Sequence, residues 1–125
     1  MFFYALFVHY NSDIAGANDT VSQIEEMGRK AWTMQFDVGN REQVKTAIDN
    51  DYESNGAVYG IVCNAGITRD GIFPTMSDDD WDSVINTNLS GFYNVVKPNI
   101  MNLITARAPG RIIVMSSVSG IIGNR

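Results

Sequence analysis

A handful of short polar clusters carry most of the chemistry this sequence could do. Asn11-Ser12, Asp37-Val38, Asn64-Ala65-Gly66 and Ser116-Ser117 each follow an apolar run, and Asn88 interrupts a long helical pattern. A carboxylate at a strand tip, Asp37, can accept a hydrogen bond from an amino group. Asn64 offers a side-chain amide beside a turn of little bulk. Ser116 and Ser117 offer hydroxyl donors, and such a donor aimed at an oxygen on which charge develops stabilises a transition state. Each cluster also has a plainer reading. Asp37 would then be a solvated acid ahead of a helix cap at Asn40, Asn64-Ala65-Gly66 a strand-to-loop turn, Asn88 an exposed helix residue, and the serines strand-end caps. Tyr93 and Lys97 share a helix face at their spacing, where Tyr93 reads as core packing and Lys97 as a surface charge. His9, the only histidine, reads as a packed strand residue, and Cys63, the only cysteine, as an inert small hydrophobe.

The elements that must position these residues alternate regularly. Tyr4 to His9 predicts a buried strand that runs through Tyr10-Asn11-Ser12-Asp13 into a helix cap. Ile14, Ala17, Val21, Ile24 and Met27 then fall on one helical face, and Gly28 stands where a left-handed C-terminal residue belongs. Ala31 to Phe36 predicts a second strand. Asn40 predicts the cap of a second helix, with Gln43 as its capping-box partner and Val44, Ala47, Ile48 and Tyr52 as its buried stripe. Val58 to Cys63 predicts a third strand. Ser77 and Asp80 open a helix running from about Asp78 to Ala106, with a bend at Pro98, whose ring does not fit a regular helix interior. Pro109-Gly110 breaks it before a fourth strand over Arg111 to Ser116. Strand and helix in alternation predict an α/β fold, half of a doubly wound parallel sheet with right-handed crossovers. Such sheets bind ligands outside the carboxyl ends of their strands, where all four polar tips lie.

Composition narrows the function classes. The chain has 125 residues, 45% hydrophobic and 18% charged, which suits one globular domain. A net charge of −5 without a basic patch argues against nucleic acid or an anionic membrane as partner. One cysteine leaves no internal disulfide framework. The apolar run Phe2 to Val8 is too short to span a bilayer and lacks the flanks of a signal peptide, so a cytoplasmic setting is expected.

Four motifs in register carry a resemblance. Asp37-Val38 after a strand, Cys63-Asn64-Ala65-Gly66-Ile67 after the next, Asn86-Thr87-Asn88-Leu89-Ser90-Gly91 within a helix, and Gly110-Arg111-Ile112-Ile113-Val114-Met115-Ser116-Ser117 at a strand end resemble the middle half of a classical short-chain dehydrogenase/reductase. Asn64 to Asp70 and Ser117-Val118-Ser119-Gly120 are most similar to 3-oxoacyl-acyl-carrier-protein reductases. The resemblance implies a Rossmann-type NAD(P)-binding domain over residues 1–125, incomplete, with four strands and three long helices. It implies that Asp37 and Val38 lie against the adenine, that Asn64, Ala65 and Gly66 lie along the ribose, and that Asn88 and Ser117 are catalytic. In the family the matching asparagine distorts its helix and holds a water of the proton relay, and the matching serine bonds the substrate carbonyl oxygen. A second asparagine usually stands where this chain has Cys63. No acid follows the first strand until Asp13, and Asn11 and Ser12 could donate to a 2′-phosphate, so NADP(H) is expected over NAD(H), whose ribose calls for an acid there. No metal is implied. The expected substrate is a small molecule or an acyl-carrier-protein-linked chain, and the family commonly forms homo-oligomers.

Two features of that family have no counterpart in these residues. No two glycines stand two apart, as a pyrophosphate cradle requires, and the chain begins at what matches the family's second strand. The tyrosine and lysine expected about a dozen residues past Ser117 would fall beyond Arg125. Without a first strand, Tyr4–His9 and Val58–Cys63 should face a gap with unpaired edges, or else close on each other, and the chain alone should be marginally stable. The sequence therefore predicts a piece of a 3-oxoacyl thioester reductase, inactive or nearly so by itself. Two other readings stand: an interaction module that pairs with a full-length homologue, which co-purification would reveal, and a short-chain dehydrogenase for a sugar, steroid or alcohol.

Overall fold

The structure, a computed structural model, describes residues 5–123. In chain order it forms β1 (Leu6–Tyr10), α1 (Ile14–Glu26), β2 (Ala31–Gln35), α2 (Arg41–Asn55), β3 (Gly60–Cys63), a 3-10 turn (Phe73–Thr75), α3 (Asp78–Ile85), a π-helical turn (Asn86–Ser90), α4 (Gly91–Ala106), β4 (Arg111–Val114) and α5 (Ser119–Ile122). The strands are shorter than the apolar runs suggest. Tyr4 lies outside the described residues, Phe36 falls just past β2, Val58 precedes β3, and Met115 and Ser116 follow β4.

All pairing is parallel, as the α/β reading requires. β1 lies on β2 with Leu6 opposite Ala31 and Tyr10 opposite Gln35, and β3 lies on β4 with Gly60 opposite Arg111 and Cys63 opposite Val114. These make two separate two-stranded sheets, so β1 and β3 do not pair among the described residues. Of the two expected arrangements, the structure adopts the gap and not the direct closure. Among the described residues each of those two strands keeps one edge without a strand partner, a template for another strand.

The caps follow side-chain chemistry. Asp13 accepts from the Gly16 amide at the start of α1, Asn40 accepts from the Glu42 and Gln43 amides at α2, and Ser77 accepts from the Asp80 amide at α3. Gly28 takes a φ of 75°, which only glycine adopts at little cost. The Gln43 side chain, however, does not return to its own cap. Its Oε1 accepts from the Asp37 amide at 3.0 Å, so the expected capping box becomes a brace on the strand tip.

Burial is concentrated where β2 ends. Phe36, Val38, Val44 and Ile48 form the core cluster, with Met34, Ala47 and Val95 packed against it. The apolar face read on α1 is partly covered: Ala17 is buried, Val21 and Ile24 are half-buried, and Ile14 and Met27 are exposed, Met27 being the cap residue past the helix end. The single bent helix expected over 78–106 is instead α3 and α4 joined by the π-turn, and α4 continues through Pro98. The discontinuity falls at Asn86–Ser90, where the Gly91 amide reaches back to the Asn86 carbonyl, one residue further than an α-helix allows.

Candidate active site

The β2 tip is built from short-range bonds. The Asp37 carboxylate accepts the Gly39 amide through Oδ1 at 2.8 Å, and the Asp37 carbonyl accepts the Asn40 amide at 2.9 Å. This closes a turn in which Asp37 is half-buried and Val38 is buried. Asp37 is therefore more than a solvated acid: one oxygen shapes the turn, and Oδ2 has no partner among the described residues. Val38 seats against α4, where a Cβ on Gly91 would lie 2.9 Å from Val38 Cγ2. Gly39 is as confined, since a Cβ there would meet Asn86 Nδ2 at 2.2 Å. Asn94 reaches the same turn, donating Nδ2 to the Val38 carbonyl at 2.8 Å and accepting from Arg41 Nε at 2.9 Å.

The β3 tip is held by one side chain. Asn88, in the π-turn, accepts the Ile67 amide through Oδ1 and donates Nδ2 to the Ile67 carbonyl, both at 2.9 Å. A primary amide matches one residue's backbone in this way as a neighbouring strand would. A Cβ on Gly66 would stand 3.4 Å from Asn88 Oδ1, so the loop passes close over the amide. Asn64 and Ala65 are exposed on the open side of that loop. Burial holds the Cys63 thiol above its ordinary pKa, which suits an inert thiol rather than a nucleophile.

The β4 tip ends in a short cap. The Met115 amide extends the ladder to the Cys63 carbonyl at 3.0 Å. Ser117 Oγ accepts from the Ser119 amide at 3.2 Å at the mouth of α5. With its oxygen engaged as an acceptor, its O–H stays available to donate, and the amide polarises it in that direction. Asn11 and Ser12 stand exposed past β1, while the carboxylate of Asp13 is committed to its own helix.

The clusters thus lie at the carboxyl ends of all four strands, and the structure joins only some of them. The α3–α4 unit grips the tips of β2 and β3. No hydrogen bond ties Ser117 to Asn88 or to Asn64–Gly66 among the described residues. A shallow hollow lined by Asn11, Gln35, Phe36, Asn40 and Gln43 opens beside β1 and β2, away from Asn88 and Ser117. His9 behaves as read, its ring stacked on Phe36 at 4.0 Å with Nε2 at 2.7 Å from the Phe36 carbonyl. Tyr93 does not: it is 46% exposed and not core. Lys97 Nζ donates to its hydroxyl at 2.8 Å, and Arg41 lies over the ring at 5.4 Å from its centroid. The hydrogen bond from Lys97 and the charge behind it lower the phenol's pKa, with Arg41 adding to the effect. Arg41 and Asn94 brace the β2 tip without having been singled out from the sequence, where Gln43 reads only as a capping-box partner and Gly91 only as the end of the Asn86–Gly91 motif. The one available signal was an asparagine three residues from a glycine inside an apolar helix. Among the described residues no cluster of acids, histidines or cysteines could hold a metal, and no helix is long and apolar enough to cross a membrane.

Comparison with known proteins gives this geometry a context. The family model described as short chain dehydrogenase matches residues 4–125. A 3-oxoacyl-acyl-carrier-protein reductase of Aggregatibacter actinomycetemcomitans is 48% identical over 118 residues, which cover 94% of this chain and 49% of the relative. An acetoacetyl-CoA reductase of Synechocystis is 40% identical, with 83% of this chain and 49% of the relative covered. A gluconate 5-dehydrogenase of Burkholderia cenocepacia, solved with NADP and tartrate, superposes with a TM-score of 0.80 at 31% identity, over 90% of this chain and 44% of its own. The chain spans about half the length of the curated relatives it matches.

Proposed function

This chain belongs to the short-chain dehydrogenase family, and from that premise we propose that its residues form the middle of an NADP-dependent reductase of 3-oxoacyl thioesters. Residues 1–125 are then one incomplete dinucleotide-binding domain. The observation that carries the reading is the Asn88 clamp on Ile67, which fixes the loop after β3, the strand paired with β4 that leads to Ser117. The 48% identity to a reductase of that substrate class supports the choice of substrate.

The residues present fit two ends of the cofactor. Asn11 and Ser12 offer donors for a 2′-phosphate where the nearest acid, Asp13, is already engaged by the Gly16 amide, which favours NADP(H). Asp37 Oδ2 and Val38 would face the adenine, and Asn64, Ala65 and Gly66 the ribose. None of the glycines is placed to cradle the pyrophosphate. When bound, the reduced nicotinamide supplies the hydride. The Ser117 hydroxyl donates to the substrate carbonyl oxygen as negative charge grows on it. Asn88, engaged at both side-chain polar atoms, holds the Ile67 backbone and so acts by positioning it. The reading brings with it an acyl-carrier-protein-linked or other small thioester, a homo-oligomer and a cytoplasmic setting.

The test is NADPH oxidation with an acetoacetyl thioester. These 125 residues alone should show almost no turnover, because they hold no pyrophosphate cradle. Substituted for the matching half of the Aggregatibacter reductase, they should support turnover, and Ser117→Ala in that hybrid should lower kcat by about a hundredfold or more. A folded hybrid without turnover, or one indifferent to Ser117→Ala, would overturn the assignment. A second reading, a module that pairs with a full-length homologue, is favoured by the unpaired edges of β1 and β3. Co-purification of this chain with a complete reductase would support it.

A further inference from the structure

The Asp37–Gly39 turn depends on a side chain from a different part of the molecule. Val38 is buried, and its carbonyl finds its donor in the side chain of Asn94, which is itself only 6% exposed. A buried carbonyl without a donor is costly, so this bond has few substitutes. Asn94 is suited to the position because it both donates and accepts. Its Nδ2 serves Val38 at 2.8 Å while its Oδ1 receives Arg41 Nε at 2.9 Å, which also fixes which way round the amide sits. Arg41 opens α2, directly after the turn, and Gly91 on α4 leaves the space that Val38 fills. The turn is therefore held from behind at its middle carbonyl, while its front carries the free oxygen of Asp37.

We propose that Asn94, oriented by Arg41, is a positioning residue that sets the pose of the Asp37–Val38 turn and thereby the affinity for the adenine half of the cofactor. The proposal rests on the cofactor reading above and extends it to two residues that touch neither substrate nor cofactor. Asn94→Asp keeps size and the partner for Arg41 but replaces the donor to Val38 with a second acceptor. The turn would shift to relieve the two facing oxygens, and Asp37 would move with it. Arg41→Met, at an exposed site, removes the group that orients the amide without burdening the fold.

The experiment titrates adenosine 2′,5′-bisphosphate into the isotope-labelled 125-residue chain and follows backbone amide shifts, with thermal unfolding measured alongside. In the unaltered chain the Asp37, Val38 and Gly39 amides should shift saturably. Asn94→Asp should weaken that binding by about tenfold and Arg41→Met by about threefold, while the Ile67 amide, held by Asn88, stays where it was. Equal affinity in the unaltered chain and both folded variants would overturn the proposal and leave the cofactor reading intact. Absence of any saturable shift at 37–39 in the unaltered chain would instead overturn the cofactor reading, and this proposal with it.

Discussion

β2 and β4 are alike as sequences and opposite as structures. Both are short, apolar and parallel to one neighbour, and both end in a polar tip. β2 runs into Phe36 and Val38, buried over Val44 and Ile48 of α2 and Val95 of α4. Every residue of β4 is exposed, with Ile113 and Val114 each at 54%. Asp37 consequently sits on a tip fixed from α2 and α4, whereas Ser117 sits on one held by the ladder to β3 and its own local cap. An apolar strand states that cover is needed. It does not say which part of a polypeptide supplies it.

The most damaging way to sharpen that contrast is a charge under each strand. Val44 is fully buried, and Val44→Asp should cost about 4 kcal/mol or more, enough to unfold a marginal domain. Val114→Asp should change stability by less than about 1 kcal/mol, because the new carboxylate stays in water. Denaturant titration of the two variants checks this, and an equal loss in both would show that β4 is covered in solution. A smaller effect separates the tips of β2 and β3. Asn88→Ala should cost about 1–2 kcal/mol and speed hydrogen exchange at Ile67 while leaving Gly39 protected, since their partners are independent.

The smallest effects are electrostatic. Lys97→Met should return the Tyr93 phenol toward its ordinary pKa, read by its ultraviolet titration, with little change in the fold because the group is exposed. Cys63 has the opposite sign. Its folded pKa is raised, so the stabilisation is present below the ordinary thiol range and is lost as pH rises through the folded value. Cys63→Ala should therefore flatten the alkaline fall in stability expected of the unaltered chain, as denaturant titration across that pH range would read.

What the sequence made legible was local. Asn40 and Ser77 cap their helices because a short oxygen placed before a helical run has an amide to accept. Gly28 ends α1 because few other residues tolerate its φ. From the sequence the edges of β1 and β3 could either face a gap or close on each other, and the separate pairing of β1 with β2 and of β3 with β4 decided for the gap. The grip of α4 on the β2 tip was not legible, because Asn94 meets Val38 across 56 positions, and nothing in either residue's neighbourhood announces the other. Tyr93 was misread for a related reason. The buried face of α4 includes Gly91 and Asn94, and a residue two positions after Gly91 points about 200° away from it. The same long-range blindness applies to Asn88, whose amide could as easily have met water as Ile67.

The π-turn makes residue count, and not only residue type, a variable of this molecule. It accommodates one surplus residue, and removing that residue at Asn86–Ser90 would let α3 run into α4 as a regular helix. Everything downstream would then rotate by about 100° relative to α3. A deletion of one codon there would swing Asn94 off the Val38 carbonyl or Asn88 off Ile67, since one rigid rod could not satisfy both. Reading frames that tolerate many substitutions along this helix should tolerate almost no change of length across these five positions.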